Sequence, residues 1–114
     1  MPTLPPAISL PHQWQVEAEL LCLLEGRTRP TETVHVYNEL ASVFRLSGQQ
    51  KHAARPRTKG SVWEYLVREA KRHLKDRGLL HCPQTGLWFL TASGHQEAKK
   101  LKIGKTVAAA SLGL

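Results

Sequence analysis

Cysteine is scarce in this chain. Cys22 and Cys82 are the only two among 114 residues. Neither belongs to a Cys-x-x-Cys pair, and two reduced thiols are the expectation for a lone pair of this kind. His81-Cys82 with His95, or Cys22 with His73, could hold zinc only if folding gathered four donors, and the spacings fit no zinc signature. Long apolar runs are missing as well; none approaches the ~20 residues of a membrane-spanning helix. The first ten residues hold three prolines and no charged side chain, which does not fit a secretory leader. There is no Gly-x-x-x-x-Gly-Lys phosphate loop and no internal repeat. These absences point to a cytoplasmic protein with no membrane partner, no cofactor and no bound metal. At this length one core can form, whereas two domains could not each reach a stable size.

Acidic side chains are short where basic ones are plentiful. Residues 1–44 hold two basic and five acidic side chains, residues 45–77 ten and three, and residues 78–114 four and one. The middle segment alone equals the formal net charge of +7. Such a stripe is the electrostatic footprint of a nucleic-acid binder, although acidic proteins and anionic lipid would be attracted too.

The rest of the chain is organised around residues 61–78. Val62, Leu66, Ala70 and Leu74 recur every four residues, with Trp63 and Val67 beside them, which predicts one amphipathic helix. Ser61 and Glu64 have capping-box spacing: the hydroxyl accepts from the Glu64 amide while the Glu64 side chain reaches back. Gly78 is the stop, and Arg77 in the last turn suits the helix dipole. The opposite face carries Arg68, Lys71, Arg72 and Lys75. Upstream, Arg55-Pro-Arg57-Thr58-Lys59-Gly60 forms a basic arm leading into the helix N-terminus, and cations and helix N-termini both favour phosphate. A solvated charged face on a core helix is the plain alternative.

Around this helix the pattern is regular. Residues 1–11 are proline-rich and expected to be extended. A first helix is predicted from His12 or Gln13 to Glu25, with Trp14, Ala18, Leu21 and Leu24 as its stripe, widened by Leu20 and Leu23. A second is predicted over Glu32–Phe44, capped by Thr31 or Thr33, with Val36, Leu40, Val43 and Phe44 inward. A short strand at 33–36 competes with its first turn. Residues 47–60 form a polar, basic connection with room for a helical turn at 48–53. Leu79–Cys82 and Leu87–Thr91 flank Pro83-Gln84-Thr85-Gly86, the pattern of a β-hairpin. A short helix from Gly94 to Leu101 follows, then a flexible tail over 104–114. Trp14, Trp63 and Trp88 are expected in the core, with Trp88 the one that could instead lie exposed and stack on a base. The expected domain covers 12–103 and is mostly α with a small β-hairpin, a winged helix-turn-helix, in which a third helix faces the major groove.

Leu40 with Phe44-Arg-Leu46-Ser, Ala70-Lys71, Leu74-Lys75-x-x-Gly78-Leu79-Leu80 and Gly86-Leu-Trp-Phe-Leu90-Thr91-x-x-Gly94 occur in that order. Over about residues 8–101, by this ordered matching, the chain resembles the N-terminal domain of Mrr-type restriction-system proteins. The resemblance implies a winged helix that binds DNA and delivers a separate C-terminal nuclease domain. The chain departs from the family pattern in two places. Tyr65-Leu66 stands where the family often has Asn-Arg, and Glu69 where it tends to have Trp, so base contacts do not transfer. No nuclease domain follows the wing within the chain, so no cleavage is expected of it.

The reading is therefore a module for double-stranded DNA, with a nuclease domain or subunit and a second copy as further candidate partners. Arg55, Arg57 and Lys59 would bind phosphate or enter a groove, and Ser61, primarily a cap, could with Thr58 and Gly60 also bind a phosphate through backbone amides. Tyr65, Arg68, Arg72 and Lys75 would line the groove-facing side, with Arg68 the candidate for a base contact, Lys71 would contact phosphate from the flank, and Gln84 and Thr85 would meet the backbone at the wing tip. A small transcriptional regulator and a dimerisation or docking module are the alternatives. Asp76 with Glu97-Ala-Lys99 imitates a metal-dependent nuclease signature, but Asp76 ends one helix and the others belong to another, so two solvated surfaces are expected and no catalytic residue is assigned.

Overall fold

Among the described residues, five helices and three short strands follow one another as α1 (Gln13–Leu24), β1 (Thr31–Glu32), α2 (Thr33–Val43), α3 (Gly48–His52), α4 (Val62–Asp76), β2 (Leu80–His81), β3 (Leu87–Leu90) and α5 (Ala92–Ser111). The structure is a computed structural model. It describes residues 10–54 and 60–111, with side chains as far as residue 104. The expected extended segment at 1–11 thus falls almost wholly outside the described residues.

The core is apolar and continuous. Val16, Leu20, Leu21 and Leu24 of α1 meet Val36, Leu40 and Ala41 of α2 and Trp63, Val67, Ala70 and Leu74 of α4. Leu79, Leu80, Trp88, Leu90 and Ala98 close it from the sheet and α5. Each fully buried leucine contributes roughly 1.5–3 kcal/mol of transfer free energy. Two expected core positions are corrected. Trp14 is 68% exposed and Val43 46%. Helix α1 is covered by α2, α4 and α5 together, so its buried side centres on Val16, Leu20 and Leu24, and Trp14 falls at the rim beside His12. Trp63 and Trp88 are buried as expected.

The hairpin is part of a larger sheet. β3 pairs antiparallel with β2 (Leu80 opposite Leu90) and also with β1 (Thr31 opposite Trp88), giving the order β1-β3-β2. The strand tendency near residue 33 is therefore realised two residues earlier, and α2 begins at Thr33. Neither threonine caps α2: the Thr33 hydroxyl donates to Gly86 O (3.1 Å) and the Thr31 hydroxyl accepts from Arg27 (2.9 Å). Helix α5 is longer than the short helix predicted and runs on to Ser111, into the stretch assigned to a tail. A mostly helical chain with this small antiparallel sheet is compatible with a winged helix-turn-helix.

Helices α2 and α4 end in the same way. After α4, Leu79 N donates to Leu74 O (2.9 Å) and Gly78 takes φ +75°. After α2, Leu46 N donates to Ala41 O (2.9 Å), but the residue at the left-handed position is Arg45, φ +54°. A side chain there is strained, and glycine is not. Arg45→Gly is expected to raise stability by about 1 kcal/mol, read as a higher urea midpoint at unchanged slope.

Candidate nucleic-acid interface

Helix α4 turns its apolar side into the core, and at 3.6 residues per turn the opposite side carries Tyr65, Arg68, Glu69, Arg72, Lys75 and Asp76. The Ser61 hydroxyl accepts from Glu64 N at 3.0 Å and starts the helix. Only this half of the expected capping box forms. The Glu64 carboxylate lies instead 4.0 Å from Arg68 Nη1, drawn to the cation one turn on.

The basic side chains fall into distinct environments. Arg68, 40% exposed, donates from Nη1 to the Tyr37 hydroxyl at 3.4 Å, so α2 braces it. Arg72 is 65% exposed and forms a fork with Glu69, Nε to Oε2 and Nη2 to Oε1, both at 3.0 Å. That hydrogen-bonded carboxylate raises the Arg72 guanidinium above its ordinary pKa. Lys75 is exposed. Lys71 leans the other way, its Nζ 5.2 Å from the Trp88 ring centroid, which ties α4 to β3 by a cation–π contact. Arg77 turns toward Glu17, 4.0 Å away.

Arg55, Arg57, Thr58 and Lys59 lie outside the described residues. The residues on either side of them are pinned together. Ala54 pairs with Ser61, and Val62 N donates to Ala53 O at 2.8 Å. Ala53 and Ala54 on one side and Ser61 and Val62 on the other therefore meet at the head of α4. Ser61 itself is buried. Gln84 and Thr85 are exposed on the turn between β2 and β3.

Three features escaped the sequence reading. The outward side of α4 is less basic than expected, because Glu69 and Asp76 share it with Arg68, Arg72 and Lys75. That signal was present as i,i+3 and i,i+4 spacing around Arg72. Tyr37 had no local signal. Its hydroxyl accepts from Arg68, its carbonyl accepts from Trp63 Nε1 (3.1 Å), and its ring stands edge-on to Trp88. Glu17 is buried between α1 and α4, accepting from Gln13 Nε2 (2.9 Å) and lying 2.7 Å from His73 Nδ1.

The nuclease-like carboxylates are spent elsewhere. Asp76 lies 3.8 Å from Arg72, and Glu97 3.9 Å from Lys100. Among the described residues no three His, Cys, Asp or Glu side chains are gathered so as to hold a metal. Among the same residues no helix is long and apolar enough to cross a membrane.

One comparison identifies a relative: the family model described as Mrr N-terminal domain matches residues 16–100. No curated protein and no solved structure matches the chain.

Proposed function

This chain belongs to the Mrr N-terminal domain family, and from that premise we propose that it binds double-stranded DNA as the targeting module of a restriction system. The observation that carries the reading is the convergence at the head of α4. The described residues that flank Arg55, Arg57 and Lys59 meet there, at the positive end of the α4 dipole, which favours anions. Arg68, braced by Tyr37, and exposed Lys75 extend the positive surface along the helix. In this reading the arm and Ser61–Thr58 region hold phosphate, Tyr65, Arg68, Arg72 and Lys75 face the groove, Lys71 meets phosphate from beside Trp88, and Gln84 and Thr85 touch the neighbouring backbone. Cleavage belongs to a nuclease domain or subunit that the module delivers.

Salt titration tests this. Duplex affinity should fall steeply between ~50 and ~200 mM salt as bound phosphates release counterions. Replacing Arg55, Arg57 and Lys59 together by alanine should weaken every duplex and lower the salt slope by about three, at ~1 per phosphate contact, while the melting temperature holds. Unchanged affinity and slope would remove the arm from the interface. Absence of any duplex binding would remove the DNA reading.

Trp14 and Ile103, 68% and 64% exposed on α1 and α5, support a second reading as a dimerisation or docking module. Light scattering separates the two, since such a module gains mass with concentration and not with duplex.

A further inference from the structure

Glu69 sits midway along the outward side of α4, where a bound polyanion would meet it. There it holds Arg72 through two 3.0 Å hydrogen bonds, and the Tyr65 hydroxyl lies 3.4 Å from its Oε1. A carboxylate at that place repels phosphate whatever the DNA sequence. It is tolerated in a groove only where it meets a donor, and the base edges of the major groove offer two, the exocyclic amines of cytosine and adenine. On adenine the amine stands beside the N7 acceptor, whose lone pair opposes a carboxylate. On cytosine the neighbouring group is C5–H, which does not. A carboxylate can accept from both the guanidinium and a base amine, because two oxygens offer about four lone pairs. The fork also steadies an exposed arginine and leaves its Nη1 N–H groups outside the pair, with Asp76 Oδ2 at 3.8 Å, beyond hydrogen-bond length, and a guanidinium matches guanine O6 and N7.

On the reading that α4 enters the major groove of a duplex, we propose that Glu69 determines specificity: it accepts from N4 of a cytosine while Arg72, held beside it, donates to O6 and N7 of a neighbouring guanine. The pair converts a generic anion-binding helix into one that selects a G·C-containing site. Glu69 thus opposes binding to most sequences and permits it at a few.

The probe is a pool of short duplexes randomised over their central positions, bound by the full chain and sequenced. The wild-type protein should enrich cytosine at one position by roughly ten-fold, the discrimination of one good base contact. Glu69→Gln should move that preference to adenine, because a carboxamide both donates and accepts and so matches adenine N6 and N7. Glu69→Ala should erase the preference and tighten binding to the whole pool. Helix content by circular dichroism checks that both variants keep α4. If the variants select the same base as wild type, or wild type binds the pool without preferring cytosine at any position, Glu69 is only an ion-pair partner and the inference is overturned, with duplex binding intact. If wild type retains no duplex at all, the DNA reading fails and takes this inference with it.

Discussion

Gly94→Ala is expected to destabilise the domain by about 3 kcal/mol or more, at the upper end of overpacking costs. Gly94 is buried in the first turn of α5, against Leu79, which links α4 to β2, and Leu90 of β3. A Cβ there would collide with the Leu79 carbonyl oxygen, and would lie 2.9 Å from the Leu79 carbonyl carbon and 3.2 Å from Leu90 Cβ. None of these is the loose end of a flexible side chain. Leu79 O already accepts from Thr91 N at 3.1 Å, so it cannot retreat without breaking that bond. Thr91 tightens the same corner: its hydroxyl donates to Gly78 O (2.7 Å) and accepts from Gly94 N (3.0 Å). Gly104, in the same helix, has open space where its Cβ would go. Gly104→Ala should therefore stabilise by about 0.5–1 kcal/mol through helix propensity. Urea unfolding of both variants should give opposite signs, and a near-neutral Gly94→Ala would mean that α5 does not pack so closely on Leu79.

Trp63→Ala should cost about 4 kcal/mol, a large share of the ~5–15 kcal/mol that a domain of this kind holds. The indole is 2% exposed in the first turn of α4. Its Nε1 donates to Tyr37 O at 3.1 Å, and its ring meets Phe44 edge-on with centroids 6.0 Å apart. Truncation leaves a cavity between α2 and α4 and removes the indole's hydrogen bond to Tyr37 O. Trp63→Phe keeps most of the ring and loses the N–H, and should cost nearer 1–2 kcal/mol, the order of one buried hydrogen bond. The gap between the two variants, read from denaturant midpoints, separates packing from the hydrogen bond. Equal costs would mean that the hydrogen bond, and not the ring, holds the head of α4.

The segments that carried the family resemblance prove to be neighbours in space. Gly78, Leu79 and Leu80 meet Leu90, Thr91 and Gly94 through two hydrogen bonds, one strand pair and one close backbone approach. That part of the pattern builds the corner between α4 and α5, and the charged side of α4 lies outside it. The positive charge of the middle segment was legible as a count. Its distribution was not, because Lys71 goes to Trp88 and Arg77 to Glu17, contacts across 17 and 60 positions of chain.

Helix α4, with its cap at Ser61 and its stop at Gly78, was determined by the order of residues alone, because period, capping and termination act within a few positions of chain. The extra strand pairing of Thr31, the exposure of Trp14, the burial of Glu17 and the bracing of Arg68 by Tyr37 were decided only when distant elements met. Local preference sets which side of a helix is apolar. What covers that side, and which cations remain for a ligand, depends on how the elements pack against one another.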